Sequence, residues 1–200
     1  MPSMSALEAT FCRSAPWRLV ARKVVPWATQ GVAIAGDVLE IGGGTGAMSE
    51  EIAREFPQAH IVTTDFDPAM VDAARARLAA LPTVEARQAD ATDLPFASDS
   101  FDVAASFLML HHVIDWERAV TEIRRVLRPG GIFVGYDLTD SLPAKWIHFV
   151  DRSPHRLIGR GQMEPVLGSG GLDAMNVRYA FGGTVVRFVA RARIETNHEE

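Results

Sequence analysis

The sequence predicts one α/β domain with a doubly wound, seven-stranded and mostly parallel sheet that ends in an antiparallel hairpin. Three observations support this fold class. Strand-like segments alternate with helical segments five times across residues 37–136, as a parallel sheet requires. The first strand runs directly into a glycine-rich turn at residues 42–46. Near the C-terminus, Gly182-Gly183 separates two further strand-like segments, which is typical of a tight hairpin.

The N-terminal residues predict two short helices ahead of the sheet. Ser5-Ala6-Leu7-Glu8 has the spacing of a capping box, so a helix is expected to begin near Ala6. A second helix is expected over 17–25, ending before Pro26, because proline lacks the amide hydrogen that a helix interior needs. The basic, amphipathic stretch 11–27 could lie on a membrane surface, but we expect it to cover the cofactor or the sheet edge.

The first two strand–helix units come next. Residues 38–41 are predicted as the first strand, and apolar residues four apart predict a helix directly after the glycines. Residues 60–64 are predicted as the second strand, which ends at Asp65. Asp67 is expected to cap the following helix, with Pro68 at its first position, where a missing amide hydrogen costs nothing.

The rest of the chain completes the sheet. Three more parallel strands are predicted at 84–88, 101–107 and 132–136, and the hairpin strands at 177–181 and 184–190. Asp115 is expected to cap the helix before the fifth strand, and Pro129-Gly130-Gly131 is expected to stop it. The single domain then divides into a helical cap, a cofactor-binding core, an acceptor lid, and a hairpin with a tail, at residues 1–36, 37–140, 141–175 and 176–200.

Composition narrows the function classes. A net charge of −5 argues against a nucleic-acid binder with a broad basic face. The single cysteine, Cys12, cannot form an internal disulfide, and no apolar run is long enough for a membrane span. We therefore expect a cytoplasmic protein without stable membrane insertion, nucleic-acid partner or bound metal; monomer and homodimer both stay open.

The glycine turn and the acid after it predict an adenosine-containing cofactor. Gly42, Gly44 and Ala47 satisfy the pattern Gly-x-Gly-x-x-Gly/Ala, which lets a ligand approach the backbone at a helix N-terminus. Asp65 stands 23 residues after Gly42, where its carboxylate can accept both hydroxyl protons of a ribose. This spacing alone does not distinguish NAD from a sulfonium cofactor.

Acidic residues around the turn favour a cationic cofactor. Glu40 lies two residues before the first glycine, and Asp65, Asp67, Asp90 and Asp93 are expected at the same edge of the sheet. A pyrophosphate would be repelled by these carboxylates. S-adenosylmethionine has no phosphate and carries a sulfonium and an ammonium group, so the same carboxylates would attract it.

Several motifs occur in order along the core. They are Val38-Leu39-Glu40-Ile41-Gly42-Gly43-Gly44-Thr45-Gly46, Thr64-Asp65-Phe66-Asp67-Pro68-Ala69-Met70, Asp90-Ala91, Leu94-Pro95-Phe96, Ser100-Phe101-Asp102-Val103, Leu110-His111-His112-Val113 and Arg125-Val126-Leu127-Arg128-Pro129-Gly130-Gly131. In this series, from Asp37 to about Tyr136, the chain resembles the class I S-adenosylmethionine-dependent methyltransferases, which have a Rossmann-like fold. Within that class it resembles the small-molecule enzymes of the ubiquinone/menaquinone-biosynthesis group. The resemblance implies S-adenosylmethionine as cofactor and in-line methyl transfer to a small-molecule acceptor.

The resemblance also implies individual cofactor contacts. The glycines line the methionine end, Glu40 helps to hold the amino group, Asp65 takes the ribose hydroxyls and Asp90 receives the adenine amino group. Gly43 departs from the family pattern, which often has a larger residue there, and is expected to loosen the loop. The implied cofactor-binding residues are Glu40, Gly42, Gly43, Gly44, Gly46, Asp65, Phe66, Met70, Asp90, Ala91 and Phe107.

The acceptor side is less specific in the sequence. His111 and His112 follow the fourth strand and could act as base or acceptor-orienting group, or could simply stabilise the turn. Trp146 and His148 lie in the 141–172 segment, where they could line an acceptor lid. Equally, Trp146 could belong to the core of a covering helix.

Two other functions stay open at this point. A catalytically silent member of the fold would bind the cofactor as a sensor or a partner subunit. An NAD-dependent oxidoreductase would satisfy the glycine pattern and Asp65, although the acidic edge disfavours it.

Overall fold

The computed structural model describes residues 15–151 and 154–194, which form a seven-stranded sheet with the order β3-β2-β1-β4-β5-β7-β6. The strands are β1 (Asp37–Ile41), β2 (His60–Asp65), β3 (Val84–Gln88), β4 (Phe101–Phe107), β5 (Leu127–Leu138), β6 (Leu172–Ala180) and β7 (Val185–Ala192). The helices are α1 (Ala15–Thr29), α2 (Ala47–Glu55), α3 (Pro68–Leu78), α4 (Trp116–Val126), α5 (Leu142–Asp151) and α6 (Met163–Ser169). Short 3₁₀ turns cover Leu110–His112 and Phe181–Gly183.

The first five strands are parallel, as the alternating pattern predicts. β1 lies between β2 and β4, with Ile41 opposite Thr64 on one side and Ser106 on the other. The outer pairs, β2 with β3 and β4 with β5, are also parallel. All five strands therefore end at one edge of the sheet, the edge at which open α/β sheets bind ligands.

The C-terminal hairpin is antiparallel, as predicted, but its connection is longer than two residues. β7 pairs with β5 and places β6 at the edge of the sheet. β6 ends at Ala180 and β7 begins at Val185, so the turn also includes Phe181 and Thr184. Phe181 has a positive φ of 52°, like the two glycines after it, and this left-handed backbone ends the ladder early.

Helices cover both faces of the sheet and give the domain two apolar layers. On one face, Trp116 and Ile123 of α4 pack with Phe133 of β5 and Phe188 of β7. On the other face, α1 and α2 contribute buried apolar side chains such as Val25 and Ile52. This arrangement confirms the predicted doubly wound sheet.

Two predicted helix ends are wrong. α1 continues through Pro26 to Thr29, because the proline lies in the last turn and buried Val25 and Ala28 hold that turn against the sheet. α4 ends at Val126, before the predicted Pro-Gly-Gly stop, because Leu127 already pairs with Phe101 in the sheet.

Two predicted helix caps have different outcomes. Asp67 accepts a hydrogen bond from the Ala69 amide at 2.8 Å, which confirms its role as cap of α3. Asp115 lies at the N-cap position of α4, but its side chain makes no capping bond, so that prediction is wrong. Its backbone, with ψ 60°, lacks the extended conformation usual for a cap.

Some predictions concern residues outside the described ranges. The helix expected to begin near Ala6 and the single Cys12 both lie among them. Within residues 15–151 and 154–194, no helix is both long enough and apolar enough to cross a membrane.

Candidate cofactor and acceptor site

The glycine turn follows β1 and is fixed by Asp65 at the end of β2. Gly42, Gly44 and Gly46 have φ of 65°, 55° and 78°, in the left-handed region that glycine adopts without strain. The Gly44 amide donates to Asp65 Oδ2 at 2.9 Å, and the Asp67 amide donates to Asp65 Oδ1 at the same distance. The predicted ribose-binding acid therefore also shapes the cofactor loop.

Gly43 is required here by close packing. A Cβ at this position would collide with Thr63 Oγ1 and come within 3.0 Å of Glu40 Oε2. The Gly43 amide also donates to the Thr64 carbonyl at 2.8 Å. Thr63 and Glu40 therefore occupy the space that a side chain at position 43 would need. The third glycine packs against β2 and leaves no gap in the loop.

Glu40 lies beneath the loop in the protein interior. Its Oε2 accepts hydrogen bonds from the hydroxyls of Ser49 and of Thr63, the latter at 3.0 Å. Burial raises the pKa of Glu40 above its ordinary value, although both hydroxyl bonds act in the opposite direction. In this structure the side chain supports the loop through β2 and α2, and its contact with a cofactor amino group stays a prediction.

Asp65 combines burial with remaining hydrogen-bonding capacity. Burial raises its pKa, while the amides of Asp67 and Gly44 lower it by a smaller amount. Each carboxylate oxygen accepts one amide bond and has a further lone pair, so two hydroxyl groups of a ligand could still bind.

The predicted adenine-side residues follow β2 and β3. Asp90 Oδ1 accepts bonds from the Thr92 amide at 2.8 Å and the Thr92 hydroxyl at 2.7 Å. Burial alone would raise the pKa of Asp90, but these bonds lower it, so the carboxylate stays ionised. Ala91 is buried beside it, Phe66 is half-buried and Met70 is buried on α3.

The loop is closed from the β4 side by a methionine that sequence reasoning missed. A Cβ on Gly42 would collide with Met109 Cγ, so the Met109 side chain approaches the loop as closely as glycine allows. Phe107, the last residue of β4, is buried and lies 6.0 Å from the ring of Tyr136. Met109 had no signal in the sequence, because this contact is visible only once β1 and β4 are paired.

His111 is buried and bound to a second residue that the sequence analysis missed. Its Nδ1 forms a short hydrogen bond with Asp137 Oδ1, and Asp137, at the end of β5, is fully buried. Asp137 Oδ2 also accepts the amides of Met109 and Leu110, at 3.1 and 2.6 Å. The sequence feature that could have revealed this pair is the acidic Asp137 within the apolar run of β5.

A group of imidazoles surrounds His111. The His112 ring lies 4.0 Å away and the His148 ring, on α5, lies 5.0 Å away. His155 stacks on His148 at 4.1 Å. Among the described residues, no group of side chains has the arrangement of a metal site.

Helix α5 lies over this group of histidines. Its side chains were predicted either to line an acceptor lid or, for Trp146, to belong to the core. His148 is buried beside His111, and its place in an acceptor lid stays a prediction. Trp146 and Phe149 are 69% and 79% exposed, so the alternative that Trp146 belongs to the core is wrong. Trp146 itself does not contact the predicted site residues through any ring pair found in the described part of the chain.

The side chains at this edge fit a cationic, ribose-containing cofactor. Asp65 offers acceptors for hydroxyl groups, and Asp90 offers an ionised acceptor for an amino group. Asp93, which bridges to Asp90 through the backbone, adds to the same negative edge. Such a set attracts a sulfonium and an ammonium group and repels a pyrophosphate.

Comparison with known proteins indicates the class of protein that this chain resembles. A family model described as a methyltransferase domain matches residues 39–135. The chain is 38% identical over 119 residues to a demethylmenaquinone methyltransferase of Clavibacter sepedonicus, covering 59% of this chain and 45% of that protein. It is 34% identical over 131 residues to the ubiquinone/menaquinone biosynthesis C-methyltransferase UbiE of Desulfotalea psychrophila, covering 63% and 52%. The chain thus spans about half the length of these relatives.

Solved structures show the same fold. A methyltransferase in complex with the Trm112 methyltransferase activator of Haloferax volcanii superposes with a TM-score of 0.80 at 17% identity, over 94% of this chain and 95% of that one. The fold is therefore that of the Rossmann-like methyltransferases. Residues 39–135 match the methyltransferase-domain family, and the chain is similar to class I S-adenosylmethionine-dependent methyltransferases of the ubiquinone/menaquinone group, in agreement with the family, fold and cofactor predicted from the sequence.

Proposed function

We propose that this protein transfers the methyl group of S-adenosylmethionine to a small-molecule acceptor at the carboxyl edge of the sheet. The observation that carries the proposal is the bonded set formed by the glycine loop and Asp65, because it presents acceptors for ribose beside a turn that a ligand can approach closely. S-adenosylmethionine, when bound, supplies an electrophilic methyl group. The chain has to hold the donor, align the acceptor and exclude water.

The residues that would hold the donor lie at the carboxyl ends of four neighbouring strands, β1 to β4. Asp65 would accept the ribose hydroxyls, and Asp90 with Ala91 would contact the adenine. The loop at 42–46 would line the methionine end, with Phe107 beside it. Glu40 lies beneath the loop and would stabilise it mainly through its hydrogen bonds with Ser49 and Thr63.

His111 would act on the acceptor. Its Nδ1 is engaged by Asp137, which leaves Nε2 to accept a proton from an acceptor hydroxyl or carbon acid. Transfer of the methyl group from sulfur to the acceptor would leave S-adenosylhomocysteine and one proton, which Nε2 would hold while the buried carboxylate of Asp137 stabilises the imidazolium. His148 lies over His111, so α5 has to move for an acceptor to reach the ring.

The relatives and the site support the same class of acceptor. The two relatives are named for demethylmenaquinone and for ubiquinone/menaquinone biosynthesis, and the second is a C-methyltransferase. An aromatic ring that carries hydroxyl groups, such as a reduced quinone, fits a base that lies among imidazole side chains. We therefore propose C-methylation of a quinol-type ring, in the cytoplasm.

Transfer of a labelled methyl group to a panel of acceptors tests this function. Hydroxylated benzenes and naphthalenes, simple alcohols and amines should be compared, and label is expected in the quinol-type compounds. His111→Asn, which keeps a donor toward Asp137, should abolish most of the turnover at unchanged binding of S-adenosylhomocysteine. His60→Asn, exposed at the opposite end of β2, is the matched control and should retain activity.

Two outcomes would contradict the proposal. Full turnover by His111→Asn would exclude the proposed base. Binding of S-adenosylhomocysteine without transfer to any acceptor would instead identify a catalytically silent member, in which α5 permanently covers His111.

A further inference from the structure

The outer face of α5 is apolar and has no partner among the residues that the structure describes. Leu142, Trp146 and Phe149 are spaced four and three residues apart, so they share one side of the helix. They are 82%, 69% and 79% exposed, whereas Ala144 and His148 on the inner side are buried. An isolated exposed leucine is ordinary, but three large apolar side chains on one helical face are not.

A fourth exposed side chain extends this surface at the start of α5. Thr139, three residues before the helix, bonds through its hydroxyl to the Gly183 carbonyl and through its amide to that of Thr184. The turn that carries Phe181 therefore adjoins the helix start. Phe181 is 75% exposed, and its ring lies tilted by 44° to that of Trp27, at a centroid distance of 6.1 Å.

Cationic groups accompany the apolar side chains, although the protein is acidic. The Arg160 guanidinium donates to the Gly182 carbonyl at 2.7 Å, next to Phe181. The Arg187 guanidinium lies 5.0 Å from the centre of the Trp27 ring. Within the described ranges, neither arginine forms an ion pair, so both retain charge for an anionic partner.

We propose that the outer face of α5, together with Phe181, docks on the surface of a lipid bilayer that contains anionic headgroups. Tryptophan, phenylalanine and leucine on one face of a short helix suit the boundary between headgroups and acyl chains, and nearby arginines suit phosphate. A helix satisfies its own backbone hydrogen bonds there. The four side chains expose roughly 600 Å², less than the about 800 Å² that each partner of a stable dimer buries, which disfavours a second copy as occupant.

Docking would place the membrane next to the acceptor side of the site. The inner face of α5 places His148 on His111, so the same helix contacts the bilayer outside and covers the proposed base inside. An acceptor that partitions into the bilayer would then reach the site at the helix that must move. This consequence rests on the proposed function, whereas the docking itself does not.

Vesicle co-sedimentation tests the docking without donor or acceptor. The wild-type chain should sediment with phosphatidylcholine vesicles that contain phosphatidylglycerol, more weakly with phosphatidylcholine alone, and less as salt rises. Leu142→Ser combined with Phe149→Ser should reduce binding at least tenfold. Met175→Ser combined with Ile194→Ser is the matched control, since both side chains are exposed but lie on β6 and beyond β7.

Trp146 supplies a second readout. Its fluorescence should shift to shorter wavelength on addition of the anionic vesicles, and Trp146→Phe should abolish the shift. Unchanged thermal unfolding of the double variant verifies that it is folded. Absence of wild-type binding, or equal binding by both double variants, would overturn the proposal. A wild-type dimer that dissociates in the Leu142/Phe149 variant, without vesicle binding, would overturn it in favour of a second copy.

Discussion

Asp137 and His111 form a buried carboxylate–imidazole pair across the end of β5 and the turn after β4. The same carboxylate accepts the backbone amides of Met109, Leu110 and Leu138. One side chain therefore fixes both the ring proposed as base and the backbone of Met109, whose side chain faces Gly42. The pair links the acceptor side of the site to the donor loop.

Asp137→Asn should cost about 2–5 kcal/mol of stability, because the buried network loses its charge and one acceptor oxygen, and the new NH2 group faces other hydrogen-bond donors. Chemical denaturation measures this change. Asp140→Asn is a suitable control, since that carboxylate is half-exposed and pairs with Lys145 on the surface. A loss for Asp137→Asn no larger than that for Asp140→Asn would contradict a structural role of the pair.

Gly43→Ala should destabilise the protein by about 1–3 kcal/mol, because the new methyl group collides with the Thr63 hydroxyl. Thr63→Ala removes that hydroxyl and makes room. The double variant should therefore be more stable than the sum of the single changes predicts, as a double-mutant cycle from urea denaturation would show. Strict additivity would mean that Gly43 and Thr63 are not in contact.

Glu40→Gln should alter the pH dependence of stability. The folded-state pKa of Glu40 is raised by burial, so the folded protein binds this proton more tightly than the unfolded chain does. The contribution of Glu40 to stability is therefore largest at low pH and decreases as pH rises above its ordinary pKa of 4.5. The amide side chain of the variant stays neutral at every pH and still accepts hydroxyl bonds.

The free energy of unfolding of Glu40→Gln relative to wild type should thus rise with pH, to a plateau above the folded-state pKa. Denaturation curves of both proteins at a series of pH values measure this difference, in which the contributions of the other carboxylates cancel. A difference independent of pH would show that Glu40 titrates alike in both states.

Asp65→Ala should weaken binding of S-adenosylhomocysteine by roughly 100-fold or more, since two hydrogen bonds to a charged acceptor are each worth about 1.5–3 kcal/mol. Calorimetric titration measures the affinity. Asp72→Ala, an exposed carboxylate on α3 that pairs with Arg75, serves as control and should leave the affinity unchanged. Equal affinity of Asp65→Ala and wild type would place the ribose elsewhere.

Local patterns predicted much of the fold. Strands β3 and β4 have their predicted bounds, and β4 in particular is marked by a nearly continuous apolar run, as expected for a buried strand. The glycine loop, Asp65 and the Asp67 cap were also predictable, since they depend on neighbours in one strand–turn–helix unit. The bonds of Asp65 to Gly44 and Asp67 show that the predicted acid meets the predicted loop.

Long-range contacts were beyond sequence reasoning. Asp137 meets His111 from 26 positions away, and Thr63 meets Gly43 only because β2 lies beside β1. The predicted end of α4 was wrong because Leu127 pairs with Phe101 in the sheet and does not extend the helix. The exposed face of α5 was missed because helical spacing shows that side chains share a face, but not whether anything covers them.

Calorimetric titration of the wild-type protein with S-adenosylhomocysteine and, separately, with NAD⁺ tests most directly whether the loop at 42–46 is a methyl-donor site. S-adenosylhomocysteine should bind saturably, one molecule per chain, and NAD⁺ at the same concentrations should give no binding heat. Saturable binding of NAD⁺, with no response to S-adenosylhomocysteine or S-adenosylmethionine, would contradict the assignment.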